Sequence, residues 1–322
     1  MNRKKNQPKN DFNNRLFMNP TSTDINMNND SNMPNNVINS VSESPALNDN
    51  NIDHDREKSF DSLDDSEEEE ERKTEEQKVN FACGLTNARS LWQKRNALAD
   101  YMNELDLSLT IITETWFHEC EALVKLDCDM LNGRGVSFLH RCRKKKGVRA
   151  NPGGGVSIAF KRAKVTLKEF PVKRVQHKIL CAKGKLANHT TPFFVFALYL
   201  PPKATAKQTA DCLELISQAI LRIKTELRES LILIGGDFNK RDLAPAIGDY
   251  VDLAVLDSPP TRGDAHLDIT ACNFAPALLS CQANQPLETE DGQSVSDHAF
   301  LSYKFNIRHT HEFQWLDTGP DK

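Results

Sequence analysis

The chain has 322 residues, 39% of them hydrophobic, and carries 41 Lys+Arg against 45 Asp+Glu for a formal net charge of −4. No apolar run approaches the roughly 18 residues of a membrane span, and the first residues lack the apolar stretch of a secretory signal, which argues against a membrane protein or a secreted precursor. The charge is unevenly spread: residues 1–78 hold 10 Lys+Arg and 18 Asp+Glu, net −8, leaving 31 and 27, net +4, for the remainder.

Residues 1–78 are rich in Asn, Ser and Asp and end near the run Glu67 to Glu71. Such a composition buries too little apolar surface to offset chain entropy, so this Asn-rich acidic tail is expected to be disordered. A single globular domain is expected over 79–306, roughly 230 residues and ample for a large core. Residues 307–322 read as a short polar tail. The eight cysteines form no CxxC pair; free thiols in a reducing compartment explain them better than disulfides or zinc. That points to an intracellular setting, cytosol or nucleus.

In chain order, Val79 to Leu85 predicts the first strand. Ser90 is a suitable helix N-cap, followed by Leu91, Leu98, Met102 and Leu105 at helical spacing. Leu107 to Ile112 is the next strand, running into Glu114. A less regular part follows, then the basic run Arg141 to Arg149 and Pro152-Gly153-Gly154-Gly155 before a strand at Val156 to Phe160. Lys164 to Phe170 and Lys178 to Leu186 read as strands of a sheet with one solvated face, and Phe193 to Leu198 as a buried strand ending at Tyr199. Ala206 to Leu227 places Leu213, Ile216, Ile220 and Ile223 on one face of a long amphipathic helix. Leu231-Ile232-Leu233-Ile234 is a strand buried on both faces, which Gly235 and Gly236 are expected to stop before Asp237-Phe238-Asn239. Val251 to Leu256, Leu267 to Cys272, Leu278 to Ala283 and Ala299 to Phe305 complete the strands. Strands outnumber helices and Gly/Pro punctuation is dense, so two packed sheets with helices outside fit better than a helix bundle.

Chemistry-bearing residues fall at strand ends throughout: Asn87, Glu114, Tyr199, Asp237 with Asn239, Asp268, and Asp297 with His298. Carboxylate and amide oxygens suit Mg²⁺, and a histidine oriented by a separate carboxylate can act on a proton or a phosphate. Each has a plain structural alternative: a solvated loop acid, a satisfied core histidine, an interface aromatic. Coincidence of all of them at strand termini favours a site.

Taken together, Asn87-Ala88-Arg89-Ser90-Leu91, Thr113-Glu114-Thr115-Trp116, Gly153-Gly154-Gly155, Tyr199-Leu200-Pro201-Pro202, Gly236-Asp237-Phe238-Asn239, Leu267-Asp268 and Ser296-Asp297-His298 resemble the endonuclease/exonuclease/phosphatase superfamily. Within it, they resemble the apurinic-like endonuclease domain of non-LTR (LINE-type) retrotransposons. The resemblance implies a DNase I-like α/β fold, a four-layer sandwich of two mixed sheets flanked by helices. It also implies Mg²⁺-dependent phosphodiester cleavage, with Mn²⁺ as a substitute cation. It makes Glu114 and Asn87 metal ligands with Asp297 at the metal edge. Asp237 and Asn239 align water and phosphate, His298 with its partner Asp268 binds phosphate, and Tyr199 donates to it.

DNA is then the expected partner, contacted by Arg141, Arg143, Lys144, Lys145, Lys146 and Arg149 of the basic run and by Thr261 and Ser296. A solvated loop or localisation-like patch is the equal alternative for that run. The expected activity is nicking of one strand to leave a 3′-hydroxyl, by a monomer located in the nucleus. Its reverse transcriptase would be encoded separately or lost. The alternatives are a superfamily phosphatase acting on phosphoinositide or small phosphoesters, and a catalytically silent nucleic-acid-binding remnant. Two departures stand out: Arg89 sits where repair enzymes carry an acid, and the Thr261 to Asp268 connection is too brief for a long groove-inserting hairpin.

Overall fold

The computed structural model describes residues 78–117, 133–142, 154–172, 179–289, 291–292 and 296–308. The acidic tail through residue 77, the basic positions Arg143, Lys144, Lys145, Lys146 and Arg149, and residues 309–322 lie outside the described residues.

Among the described residues, twelve strands form two six-stranded sheets. Sheet one contains β1 (Lys78–Asn87), β2 (Leu109–Thr113), β3 (Val136–Arg141), β4 (Val156–Lys161), β11 (Leu278–Asn284) and β12 (Phe300–Arg308), in the order β11-β12-β1-β2-β4-β3. Sheet two contains β5 (Val165–Phe170), β6 (Ile179–Leu186), β7 (Phe193–Tyr199), β8 (Leu231–Asp237), β9 (Ala254–Val255) and β10 (Asp268–Cys272), in the order β5-β6-β7-β8-β10-β9. Each sheet is mixed, with one parallel pair at its centre, β1 with β2 and β7 with β8. Helix α1 (Arg95–Glu104) packs on sheet one, α2 (Ala206–Glu226) packs on sheet two, and a single turn, α3 (Ala244–Ile247), follows β8.

Period-two patterning sorts the side chains. From β7, Phe193, Val195 and Ala197 point into the core between the sheets, with Leu233 of β8 and Phe81, Cys83 and Leu85 of β1. Phe194, Phe196 and Leu198 point the other way, against Ile216, Ile220 and Ile223 of α2. Strands covered on both faces need apolar residues at every position, which is why these runs are continuous. The sheet-to-sheet layer is closed by edge-to-face rings such as Phe81 with Phe193 at 5.4 Å.

Several expectations are corrected. Ser90 is no N-cap: it has φ +84°, and α1 starts at Arg95 behind Lys94. Its N–H instead donates to Glu114 O at 2.9 Å, as Leu91 N does to Thr115 O at 3.1 Å, so this loop extends the β1–β2 pairing. Strand β3 falls in the part read as irregular, and only Ala254–Val255 of the Val251 to Leu256 segment pairs as a strand. The described strands reach one residue before and two residues after the expected 79–306 bounds.

Gly235 and Gly236 do not stop β8; both lie inside it. They are required by close packing, since a Cβ on Gly236 would sit 2.1 Å from Leu198 O and one on Gly235 2.7 Å from Ile111 Cδ1. Gly236→Ala forces β7 and β8 apart beside the candidate site. It is expected to cost about 3 kcal/mol or more, or to prevent folding, as overpacking against fixed backbone does. Thermal melting of the purified variant checks this; a melting temperature within a few degrees of wild type would refute it.

Candidate active site at the seam of the two sheets

The parallel strands β1 and β2 of one sheet and β7 and β8 of the other all run to the same end of the sandwich, where Asn87, Glu114, Tyr199 and Asp237 terminate or follow them. Carboxyl ends of parallel strands are where open α/β sheets bind ligands. Two hydrogen bonds cross between the sheets here. Asn87 Nδ2 donates to Asp237 Oδ2 at 2.8 Å, and Tyr199 Oη donates to Glu114 Oε1 at 2.6 Å. Register places Asp237 opposite both Tyr199 and Asp268.

Glu114 follows β2 with φ +50°, and Trp116 Nε1 donates to its second oxygen at 3.3 Å. Asn239, with φ +48°, donates its backbone N–H to Asp237 Oδ1 at 3.0 Å and its side-chain amide to Leu200 O at 2.8 Å. Left-handed backbone at non-glycine residues is strained and concentrates where surrounding structure over-determines it. Lys94, missed by the sequence reading, is buried and donates Nζ to Ala88 O at 2.7 Å, pinning the loop after Asn87. Burial, with Arg89 nearby, lowers its pKa to about 8.

His298 is buried and bonded through Nδ1 to Asp268 Oδ2 at 2.7 Å. Asp268 Oδ1 is buried without a hydrogen-bond partner. Asp237, Asp268 and His298 bring potential ligand atoms within 4.8 Å of one another. Burial, reinforced by the Asp268 carboxylate, pushes the Asp237 carboxyl up to about 7. For His298, burial opposes the charge, but the hydrogen bond and the negative charge of Asp268, with Asp237 and Asp297 behind, win and raise its pKa.

Three expected nucleic-acid contacts turn inward. Arg141 is buried, donates to Ile179 O at 2.7 Å and pairs with Glu169, so it ties β3 of one sheet to β5 and β6 of the other. Ser296 donates to Asn87 O at 2.5 Å and accepts from His298 N at 3.2 Å, bracing the site from within. Thr261 is buried, and its carbonyl accepts from Ala299 N at 2.7 Å. Tyr199 spends its hydroxyl hydrogen on Glu114. Asp297 has both oxygens engaged by arginines, Arg89 at 3.1 Å and Arg262 at 2.7 Å. Arg262, unremarked in the sequence, sits in the tight turn closed by Thr261 N and Ala265 O at 3.0 Å, so no long hairpin occurs among the described residues here.

No family model matches the sequence, and no curated protein matches it. Solved structures do. The chain superposes on an endonuclease/exonuclease/phosphatase family protein from Bacteroides thetaiotaomicron with TM-score 0.54 and 12% identity, covering 73% of this chain and 100% of that one. The fold is that of the endonuclease/exonuclease/phosphatase proteins. D. rerio TDP2 in complex with a single-strand DNA product matches with TM-score 0.52 and 13% identity, over 71% of this chain and 100% of that one. The endonuclease domain of TRAS1, a telomere-specific non-LTR retrotransposon, matches with TM-score 0.50 and 15% identity, over 70% and 98%. In this chain the endonuclease/exonuclease/phosphatase sandwich sets its two central parallel pairs side by side, which is what lets Asn87 reach Asp237 across 150 positions of sequence. Among the described residues no helix is long and apolar enough to cross a membrane, and no disulfide joins the six described cysteines.

Proposed function

We propose that this chain hydrolyses phosphodiester bonds in DNA, nicking one strand in a Mg²⁺-dependent reaction that leaves a 3′-hydroxyl. The observation that carries the reading is the convergence of three hydrogen-bonded pairs, Asn87–Asp237, Tyr199–Glu114 and His298–Asp268, at one end of the sandwich. None contains a nucleophile activated for covalent catalysis; together they supply carboxylates, an amide and a buried histidine. That set suits attack by water on an anionic centre.

The donors fit a hard divalent cation. Glu114 spends one hydrogen bond on each carboxylate oxygen, leaving further lone pairs. Asn87 commits its NH₂ to Asp237, which turns its amide oxygen away from that acid. Glu114 and Asn87 would hold Mg²⁺, or Mn²⁺ in its place. The cation would supply Lewis-acid stabilisation of charge on the phosphoryl oxygens. Asp297 is occupied by two arginines and is left out of this set.

The chain's own residues do the rest. Asp237, with its pKa near neutral, accepts a proton from the attacking water as the new O–P bond forms. Asn239 is fixed by its bonds to Asp237 and Leu200, and its amide oxygen can accept from that water. His298, whose pKa the Asp268 carboxylate raises, pairs with a non-bridging oxygen, and the bond from phosphorus to the 3′ oxygen breaks, that oxygen taking a proton from solvent water to leave as the 3′-hydroxyl.

The purified chain should convert supercoiled plasmid to open circles with Mg²⁺ and not with chelator. Release of phosphate from phosphoinositides without nicking would favour the phosphatase reading, and plasmid binding without either would leave a nucleic-acid-binding remnant. Glu114→Gln should raise the Mg²⁺ concentration for half-maximal nicking about tenfold or more, because a neutral amide is a poorer ligand for a hard cation. A metal titration curve that does not move would remove Glu114 from the metal set.

A further inference from the structure

Asp297 is gripped by two arginines from different loops. Arg89 belongs to the turn after β1 and has φ +40°, its position fixed where the neighbouring Ser90 N–H bonds Glu114 O. Arg262 belongs to the turn closed by Thr261 and Ala265, which precedes β10 of the other sheet. Both guanidinium groups remain in water, 40% and 55% exposed, and the carboxylate between them is 34% exposed. An exposed ion pair of this kind contributes little to stability. Two cations on one anion also leave a positive charge at the spot. It lies beside the site: Asp297 Oδ1 is 3.9 Å from His298 Nε2.

A guanidinium bonds carboxylate and phosphate oxygens with the same forked geometry, and in water one anion exchanges for another at little cost. We propose that Arg89 and Arg262 form a clamp for a backbone phosphate of a polynucleotide adjacent to the scissile one, with Asp297 keeping the two side chains in register until the phosphate takes its place. This rests on the phosphodiesterase reading and deepens it by assigning a contact to a second phosphate of the same strand. A small phosphoester has one phosphate, which the catalytic groups occupy. A polynucleotide has a second that reaches the clamp. Phosphate contacts of this sort position the strand without reading its sequence.

The test compares full-length wild type with Arg89→Gln/Arg262→Gln on supercoiled plasmid and on bis(p-nitrophenyl) phosphate, with Mg²⁺ throughout. The ratio of kcat/KM for plasmid to that for the small diester should fall at least tenfold in the double variant. The slope of log KM for plasmid against log salt should become shallower by about one, since the clamp holds one phosphate and each lost phosphate contact removes about 0.9. Arg222→Gln, on α2 and paired with Glu226, should leave ratio and slope as in wild type. If the double variant melts well below wild type, Arg262→Gln alone replaces it, with a change of the same sign and at most about one in the slope.

Equal loss on both substrates, or an unchanged ratio and slope, overturns the clamp. If wild type hydrolyses neither substrate, the phosphodiesterase reading fails, and anisotropy of a fluorescein-labelled duplex decides the clamp separately. Weaker, less salt-dependent binding by the double variant then supports it, and equal binding overturns it.

Discussion

His298→Ala is expected to lower nicking by on the order of 10²–10³, as loss of one preorganised group facing transition-state charge does. It should also destabilise the fold, which the strand-end position of His298 in the sequence did not suggest. The side chain is 4% exposed and provides the hydrogen bond to Asp268 Oδ2, while Asp268 Oδ1 is buried with no partner. Removing the imidazole strands a buried carboxylate, a change that costs about 3–5 kcal/mol when one member of a buried pair is deleted. The double variant His298→Ala/Asp268→Asn removes the charge as well. It should recover much of the lost melting temperature while remaining as inactive as the single variant. Nicking by His298→Ala within threefold of wild type would remove the histidine from the mechanism. A double variant no more stable than the single would show that the stranded charge is not the cause.

Asp237→Asn is expected to separate stability from activity in the opposite direction. Loss of the group that accepts the water's proton should cost about 10²–10⁴ in rate. Yet the wild-type carboxyl is a liability to the fold. Burial and the Asp268 charge raise its pKa to about 7. A carboxyl with a folded pKa above its unfolded value gives stability that is fully present below the unfolded value near 3.8 and is lost as pH rises through about 7. The asparagine variant lacks this loss. Its advantage over wild type should therefore grow between pH 4 and 7 and level off above.

The full shift would correspond to about 4 kcal/mol at 1.36 per unit. Part of it is offset. An amide can accept from Asn87 Nδ2 on one side but then sets its NH₂ against the N–H of Asn239 on the other, a mismatch of about 1–2 kcal/mol. A net gain of about 2 kcal/mol is expected in melts with chelator at pH 8, and a net loss of about 1 kcal/mol at pH 4, where the mismatch remains and the carboxyl's penalty is nearly gone. No gain at pH 8, or a gain largest at pH 4, would contradict the pKa assignment.

The sequence was legible where burial is periodic and where chemistry sits at strand ends. The runs Phe193–Tyr199 and Leu231–Asp237 announced strands buried on both faces because every position of each is buried. The α2 face was plain from Leu213, Ile216, Ile220 and Ile223, all buried. It failed where a residue's role is set by a remote partner. Val136–Arg141 alternates too weakly in burial to signal a strand, and it becomes one by pairing with Val156–Lys161. Arg141 read as a DNA contact because it adjoins a basic run; the structure takes its guanidinium inward to Ile179 and Glu169.

Sequence alone thus determined the two-sheet α/β sandwich and the strand ends on which Asn87, Glu114, Tyr199, Asp237, Asp268 and His298 stand, because hydrophobic patterning acts over a few residues and is written locally. Only the tertiary structure decided which of these side chains touch. Asn87 meets Asp237 over 150 positions, Tyr199 meets Glu114 over 85, and His298 meets Asp268 over 30. Such pairings follow from how two twisted sheets stack and how their parallel strands align, and no local pattern encodes that stacking. The same stacking gave Gly235 and Gly236 a packing role instead of a turn, and placed Asp297 between Arg89 and Arg262.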